Sequence, residues 1–112
     1  MGRVSPSVCD RICILNLIAL YDWPVEQAKA IFLCESHLGE DPNAYRLDWA
    51  NGGVAQINKA TWEPYFKARY GWTWEMIVMD DAINLQAAWE IYVRAGFTFT
   101  PWTCAELVEV GK

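Results

Sequence analysis

A chain of 112 residues has the length of one domain, and with 54% apolar and 14% aromatic residues it is too hydrophobic to remain disordered. Its net charge of -5 argues against nucleic acid, which needs a basic face, and no apolar run is long enough to span a membrane. Four cysteines and a single histidine lack the paired spacing of a zinc site, so neither metal nor other cofactor is expected.

In chain order, Ser5 and Pro6 are suited to open a first helix, which runs to about Leu20 with Val8, Ile12, Leu15 and Ala19 on one stripe. Asp10 and Asn16 interrupt this apolar stretch, and Tyr21-Asp22-Trp23 offers no small-residue cleavage site, so it does not read as a signal peptide. If Met1 is the native start, export would need another route, such as a phage particle or a membrane pore. Asp22 is the expected cap of a second helix, beginning near Pro24 and ending before Gly39. Residues 40–58 contain Asp41-Pro42 and Asn51-Gly52-Gly53 and little helical period. They read as a long loop with a small hairpin turning at Asn51-Gly52, and a segment of this kind in a compact domain is usually functional. A third helix starts at Asn58 or Thr61, takes Pro64 in its first turn and stops at Gly71. A short turn after Thr73 follows. Asp80 or Asp81 then caps a stronger helix over 82–95, closed by Gly96. The tail is irregular around Pro101 and ends in a last helical turn. The fold class is therefore mainly α: one compact helical domain over 1–112 with a small irregular or β-hairpin lobe around 40–58.

One acid has a positional argument. Glu35 follows Phe32, Ile31 and Ala28 at helical spacing, so its carboxyl emerges at the end of a core-facing stripe. Desolvation there disfavours the charged form and raises the pKa, as a general acid requires. Position alone is far better met by an ordinary helix-end glutamate that a nearby backbone donor satisfies. Each tryptophan, taken singly, reads as core, although an indole also packs well on the C–H face of a sugar.

Three segments add to this. Cys34-Glu35-Ser36, with Pro42-Asn43-Ala44 downstream, resembles the E-S…P-x-A opening of lytic transglycosylases and goose-type lysozymes. Gly53-Val54-Ala55-Gln56-Ile57-Asn58, followed by Thr61-Trp62, resembles their G-L-M/F-Q-I-N…T-W segment. Asn84-Leu85, Ala88, Ile91 and Tyr92, with Gly96 and Pro101-Trp102, resemble their closing helix in phage forms. The likeness spans about 24–104. Val54 and Ala55 replace a larger pair, and the spacing from Asn84 to Tyr92 is one residue longer than the commonest version.

The resemblance implies a lysozyme-like α+β fold that cuts peptidoglycan between N-acetylmuramic acid and N-acetylglucosamine. In that reading Glu35 protonates the glycosidic oxygen. Gln56 beside Gly53 would bond sugar substituents, Asn84, Ala88 and Tyr92 would line one groove wall, and Ser36 would orient the helix end next to the sugar; Tyr92 reads equally well as core packing. Ser36 lacks a base and so is a poor nucleophile, and His37 reads as a capping or surface residue. A second carboxylate, where one is needed, would be Asp48, then Asp41 or Glu40, each of which also reads as an ordinary loop acid. The alternative is a non-catalytic wall-binding or structural phage-tail module that keeps the fold. A redox protein built on Cys9 and Cys13 lacks the C-x-x-C spacing. The implied partner is the glycan strand, met by a monomer in the periplasm or extracellular wall, with neither nucleic acid nor membrane involved. Cys34 and Cys104 are expected to lie close enough to bridge, whereas Cys9 and Cys13, one helical turn apart, are poorly placed to do so.

Overall fold

The computed structural model describes residues 9–110. Six helices run through the described residues: α1 (Arg11–Ile18), α2 (Val25–Ser36), α3 (Lys59–Tyr70), α4 (Trp74–Met79), α5 (Asp81–Arg94) and α6 (Thr103–Val110). Between α2 and α3 lie a 3₁₀ turn at Pro42–Tyr45 and a minimal antiparallel pair, β1 (Asn51–Gly52) and β2 (Ile57–Asn58), in register Asn51 to Asn58 and Gly52 to Ile57. The fold is mainly α with a small hairpin, and no described helix is long and apolar enough to cross a membrane.

The start of the first helix is a correction. Ser5, Pro6 and Val8 lie outside the described residues. The helix begins at Arg11, because the Asp10 carboxylate accepts from the Cys13 amide and Asp10 itself is extended. That phase buries Ile14 and Ile18 and leaves Ile12 69% exposed, so the inward stripe is not the expected one. It also places Cys9 before the helix, and Cys9 and Cys13 are bridged with their Cα atoms 5.5 Å apart. The expectation of poor geometry treated both as helical.

The α2 helix starts after Pro24, with no side-chain cap from Asp22. Tyr21, Phe32, Trp89, Tyr92 and Phe99 pack around the buried Trp23 ring, whose indole N–H donates to the Ile18 carbonyl (2.9 Å). A second aromatic group surrounds Phe66: Trp62, Tyr65, Tyr70 and Trp72. Asn58 caps α3 by accepting from the Thr61 amide (2.9 Å), and Gly71 closes that helix in the left-handed conformation. Pro64 sits in the helix interior rather than its first turn. Asp80 caps α5 by accepting from the Ile83 amide (3.1 Å). The buried Asp81 ties distant pieces together, accepting from the Cys9 amide (2.8 Å) and the Tyr45 hydroxyl (2.9 Å).

The hairpin departs from expectation in its turn. Asn51 and Gly52 form the first strand, and the chain reverses over 53–56, where the Gln56 amide donates to the Gly53 carbonyl (3.0 Å). Gly52 cannot carry a side chain, since a Cβ would stand 2.5 Å from Val78 Cγ2. At Gly53, with φ of +81°, a Cβ would stand 1.9 Å from Asn84 Nδ2. The hairpin is therefore pressed onto α4 and α5, and its other residues are left to form a cavity wall.

Candidate active site

Glu35 occupies the last turn of α2. The preceding residues on its face, Ala28, Ile31 and Phe32, are fully buried, so the side chain leaves the core at the helix end as its spacing predicts. The helix stops because His37 and Leu38 both turn left-handed, at φ of 55° each. His37 is the exposed C-cap residue, in keeping with its expected capping or surface place.

The carboxyl opens into a cavity of about 470 Å³. Its walls come from the hairpin (Asn51, Gln56, Ile57, Asn58), the first turn of α3 (Thr61, Trp62), Ile91 of α5 and the segment 101–103. Glu35 is the only titratable side chain among these lining residues. Burial raises its pKa above the ordinary glutamate value. The Cys104 amide, which donates to Oε2 at 3.2 Å, opposes that shift by favouring the carboxylate. Desolvation is the larger effect, so the proton is held to higher pH than on an exposed glutamate.

The rest of the wall combines amides, hydroxyls and indoles with the aliphatic Ile57, Ile91 and Pro101, a set suited to a neutral, hydroxyl-rich ligand with apolar faces. Gln56 is the one expected binding residue that reaches the cavity. It is left-handed at φ of 52°, and its Nε2 donates to the Gly53 carbonyl (3.0 Å) and the Ala44 carbonyl (3.4 Å). Its side chain thus holds the turn and lines the site at once. Asn58 uses both ends of its amide, capping α3 and donating to Asn51 Oδ1 (3.2 Å). Trp62 lines the cavity and is held by Tyr65 and Phe66. Trp102 is buried, and its indole N–H donates to the Ala55 carbonyl (2.7 Å).

Four expected binding residues do not reach the cavity. Ser36 is buried, donates to the Val54 carbonyl (2.7 Å) and accepts from the Gly39 amide (3.0 Å). It orients the helix end, as expected, but offers nothing to a ligand. Gly53 approaches Asn84 rather than a sugar. Asn84 is fully buried: its Oδ1 accepts from the Ala55 amide (2.8 Å), and its Nδ2 donates to the carbonyls of Ile77 (2.8 Å) and Gly52 (3.1 Å). Tyr92 is core, edge-on to Trp23 and packed on Phe99. The groove wall of Asn84, Ala88 and Tyr92 is thus an interior face, because the hairpin and the 97–102 segment cover it.

The expected second carboxylates lie elsewhere. Asp48 is exposed and paired with Arg46, whose Nη2 is 2.8 Å away, and this bonding lowers its pKa. It lines a neighbouring hollow with Trp49, Ala50, Lys59, Ala60 and Glu63, which shares only Asn58 with the Glu35 cavity. Asp41 caps the 3₁₀ turn by accepting from the Asn43 amide, and Glu40 pairs with Arg11 on the surface.

The sequence reading overlooked Asn51, Asn58, Thr61, Trp62 and Thr103 as cavity residues. A signal was available for three of them: a helix cap points its first turn at whatever precedes it, so Asn58, Thr61 and Trp62 follow once the hairpin is placed beside Glu35. The bridge between Cys34 and Cys104 is present, with Cα atoms 6.0 Å apart. No family model, curated protein or solved structure matches this chain.

Proposed function

We propose that this protein cleaves peptidoglycan glycan strands between N-acetylmuramic acid and N-acetylglucosamine, with Glu35 as the acid. The observation that carries the reading is the carboxyl of Glu35: half-buried, raised in pKa, and the one titratable group among the described residues of a cavity that also presents amides, hydroxyls, indoles and the aliphatic Ile57, Ile91 and Pro101. A protonated carboxyl can donate to a glycosidic oxygen as the C–O bond breaks. The amide and hydroxyl wall suits the substituents of N-acetylated sugars, and Trp62 offers a ring to a sugar face.

The absence of a second titratable group among the described lining residues favours lytic transglycosylase chemistry over hydrolysis. Glu35 first gives its proton to the leaving oxygen. The resulting carboxylate then takes the proton of the muramic acid C6 hydroxyl as that oxygen attacks C1, closing an anhydro ring. One carboxyl completes both steps and no water is consumed. The site of action is the periplasm or the extracellular wall, and two disulfides suit such an oxidising setting.

The test is clearance of purified peptidoglycan by the wild type beside Glu35→Gln, with mass spectrometry of the fragments in ¹⁸O-labelled water. Anhydro ends without label are expected. Labelled reducing ends would replace transglycosylation by hydrolysis. Binding of the wall without cleavage by the wild type would leave a non-catalytic wall-binding module.

A further inference from the structure

Three observations meet at one point. Cys34 immediately precedes Glu35 on the last turn of α2. Cys104, in the first turn of α6, is bridged to Cys34, and its amide is the donor to Glu35 Oε2. Pro101, Trp102 and Thr103, directly before Cys104, form one wall of the cavity. The bridge therefore joins the neighbour of the acid to the segment that both covers the acid and hydrogen-bonds it.

We propose that the Cys34–Cys104 disulfide is a positioning device for Glu35, assembling the site in its oxidised form and opening it on reduction. The idea rests on the proposed glycan-cleaving role only for its activity readout. This wall has other ties. The Trp102 indole bonds the Ala55 carbonyl and its ring packs on Phe32, Phe99 packs against Trp23 and Tyr92, and Ala105 is buried in the core. These hold the segment against the core, while the bridge and the Cys104 amide tie the first turn of α6 to the end of α2 at Glu35 itself. The Cys9–Cys13 bridge spans only the start of α1 and lies outside the cavity lining, so it serves as an internal control. Reduction by a dithiol transfers two electrons and two protons to the bridge. It yields the thiols of Cys34 and Cys104 and leaves the reductant as its own disulfide. Where the cell keeps thiols reduced, the chain would be made with its acid unplaced, and it would become competent after reaching an oxidising compartment.

The readout that separates positioning from plain stabilisation is the titration of Glu35. No other titratable side chain lines the cavity among the described residues. Glu106 of α6 borders an adjoining hollow with Thr100 and Ala105, which shares Trp102 and Thr103 with the cavity. Burial is the larger cause of the raised value and the 101–103 wall is part of what covers the carboxyl, so moving that wall away rehydrates Glu35 and lowers its pKa toward that of an ordinary glutamate, while the loss of the Cys104 amide works the other way as the smaller effect.

The experiment uses ¹³C-labelled full-length protein carrying Cys9→Ser and Cys13→Ser, oxidised or treated with dithiothreitol, and a second form carrying Cys34→Ser and Cys104→Ser. Glu35 is titrated by carboxyl ¹³C NMR, helix content is followed by circular dichroism, and clearance of peptidoglycan is measured across pH. The expected result is a folded reduced protein whose Glu35 titrates lower than in the oxidised protein. Its activity should fall roughly 10- to 100-fold, the scale of an ångström-level misplacement of a catalytic group. The high-pH limb of its pH profile should move to lower pH. An unchanged Glu35 titration in folded reduced protein would overturn the proposal. So would an activity loss that merely follows the unfolded fraction with the pH profile fixed. Should the titration shift while even the oxidised protein clears no peptidoglycan, the positioning role stands and the glycan-cleaving reading fails.

Discussion

The cavity around Glu35 and the hub around Asn84 draw on the same short hairpin, yet they use its polar groups in opposite ways. At the hub, Asn84 spends its amide on the backbone of Gly52, Ala55 and Ile77, and nothing is left for a ligand. In the cavity, Glu35 has one backbone donor and otherwise faces open space lined by side chains from four segments. The residues that resembled a family's sugar-binding set divide between these two regions. Ser36, Gly53 and Asn84 build the backbone framework, while Glu35 and Gln56 face the cavity. A polar residue in a motif holds the chain as readily as it holds a substrate, because buried amides and carbonyls must be satisfied wherever the backbone leaves regular structure.

The largest effect that would sharpen this contrast is expected at the acid. Glu35→Gln keeps the shape of the side chain and still accepts from the Cys104 amide, but it has no proton to give. Peptidoglycan clearance should drop by roughly 10²–10⁴-fold, the range of general acid catalysis, with a urea midpoint no lower than that of the wild type. A folded variant that clears peptidoglycan at the wild-type rate would remove Glu35 from the chemistry.

At the hub the expected loss is of fold rather than rate. Asn84→Ala leaves the Ala55 amide and the Gly52 and Ile77 carbonyls without their partner in a fully buried place. With buried unsatisfied groups costing about 1–3 kcal/mol each and some relaxation, urea denaturation should show a loss of about 3–5 kcal/mol. The reading of Asn84 as framework fails if stability is retained while glycan affinity alone declines.

How much of this was legible beforehand depended on whether the decisive interaction was local. The Asn58 and Asp80 caps, the Gly71 stop and the inward face carrying Ala28, Ile31 and Phe32 are all set by residues within a turn or two; the sequence narrowed the caps to Asn58 or Thr61 and to Asp80 or Asp81, and showed the rest. The place of Glu35 followed from helical phase, and the closeness of Cys34 and Cys104 was also expected, though not whether they are bridged. By contrast, the burial of Asn84 was invisible, and that of Tyr92 was an even choice between core and site. Helix spacing puts them on one face without saying whether solvent or another segment covers it, and the hairpin and the 97–102 segment do so through contacts far apart in sequence. The first helix was misphased for a related reason: Asp10 could continue a helix or cap one, and only the tertiary fit of Ile14 and Ile18 decides.

A subtler difference between two buried acids concerns pH. Glu35 and Asp81 both have pKa values raised by burial, although Asp81 is held by two donors and lies outside the cavity. For each, the folded state binds its proton more tightly than the unfolded state. The stabilising contribution is therefore complete below the ordinary carboxylate pKa and is lost as pH rises through the raised folded value. Equilibrium unfolding across that window should show stability falling with pH in the wild type and falling less in Glu35→Gln. Activity should decline over the same window, since the acid must be protonated to act. Identical slopes in the two proteins would mean that burial does not hold the Glu35 proton.

The smallest effect is expected at Asp48, and it is the one that tests the border of the site. A hydrolytic mechanism with a second carboxylate would need that group near the acid, and the loop acid is the obvious supplier by sequence. In the fold, Asp48 is exposed, its two oxygens are engaged by Arg46, and its pKa is lowered by that pairing. An acid held in the charged form on the surface is a weak base, and exposed pairs of this kind contribute little to stability. Asp48→Asn should therefore leave the urea midpoint unchanged and peptidoglycan clearance within about twofold of wild type, as for ordinary surface substitutions. A loss approaching that of Glu35→Gln would show that the loop closes over bound glycan and brings Asp48 to the anomeric carbon. The single-carboxylate mechanism would then give way to one that activates water.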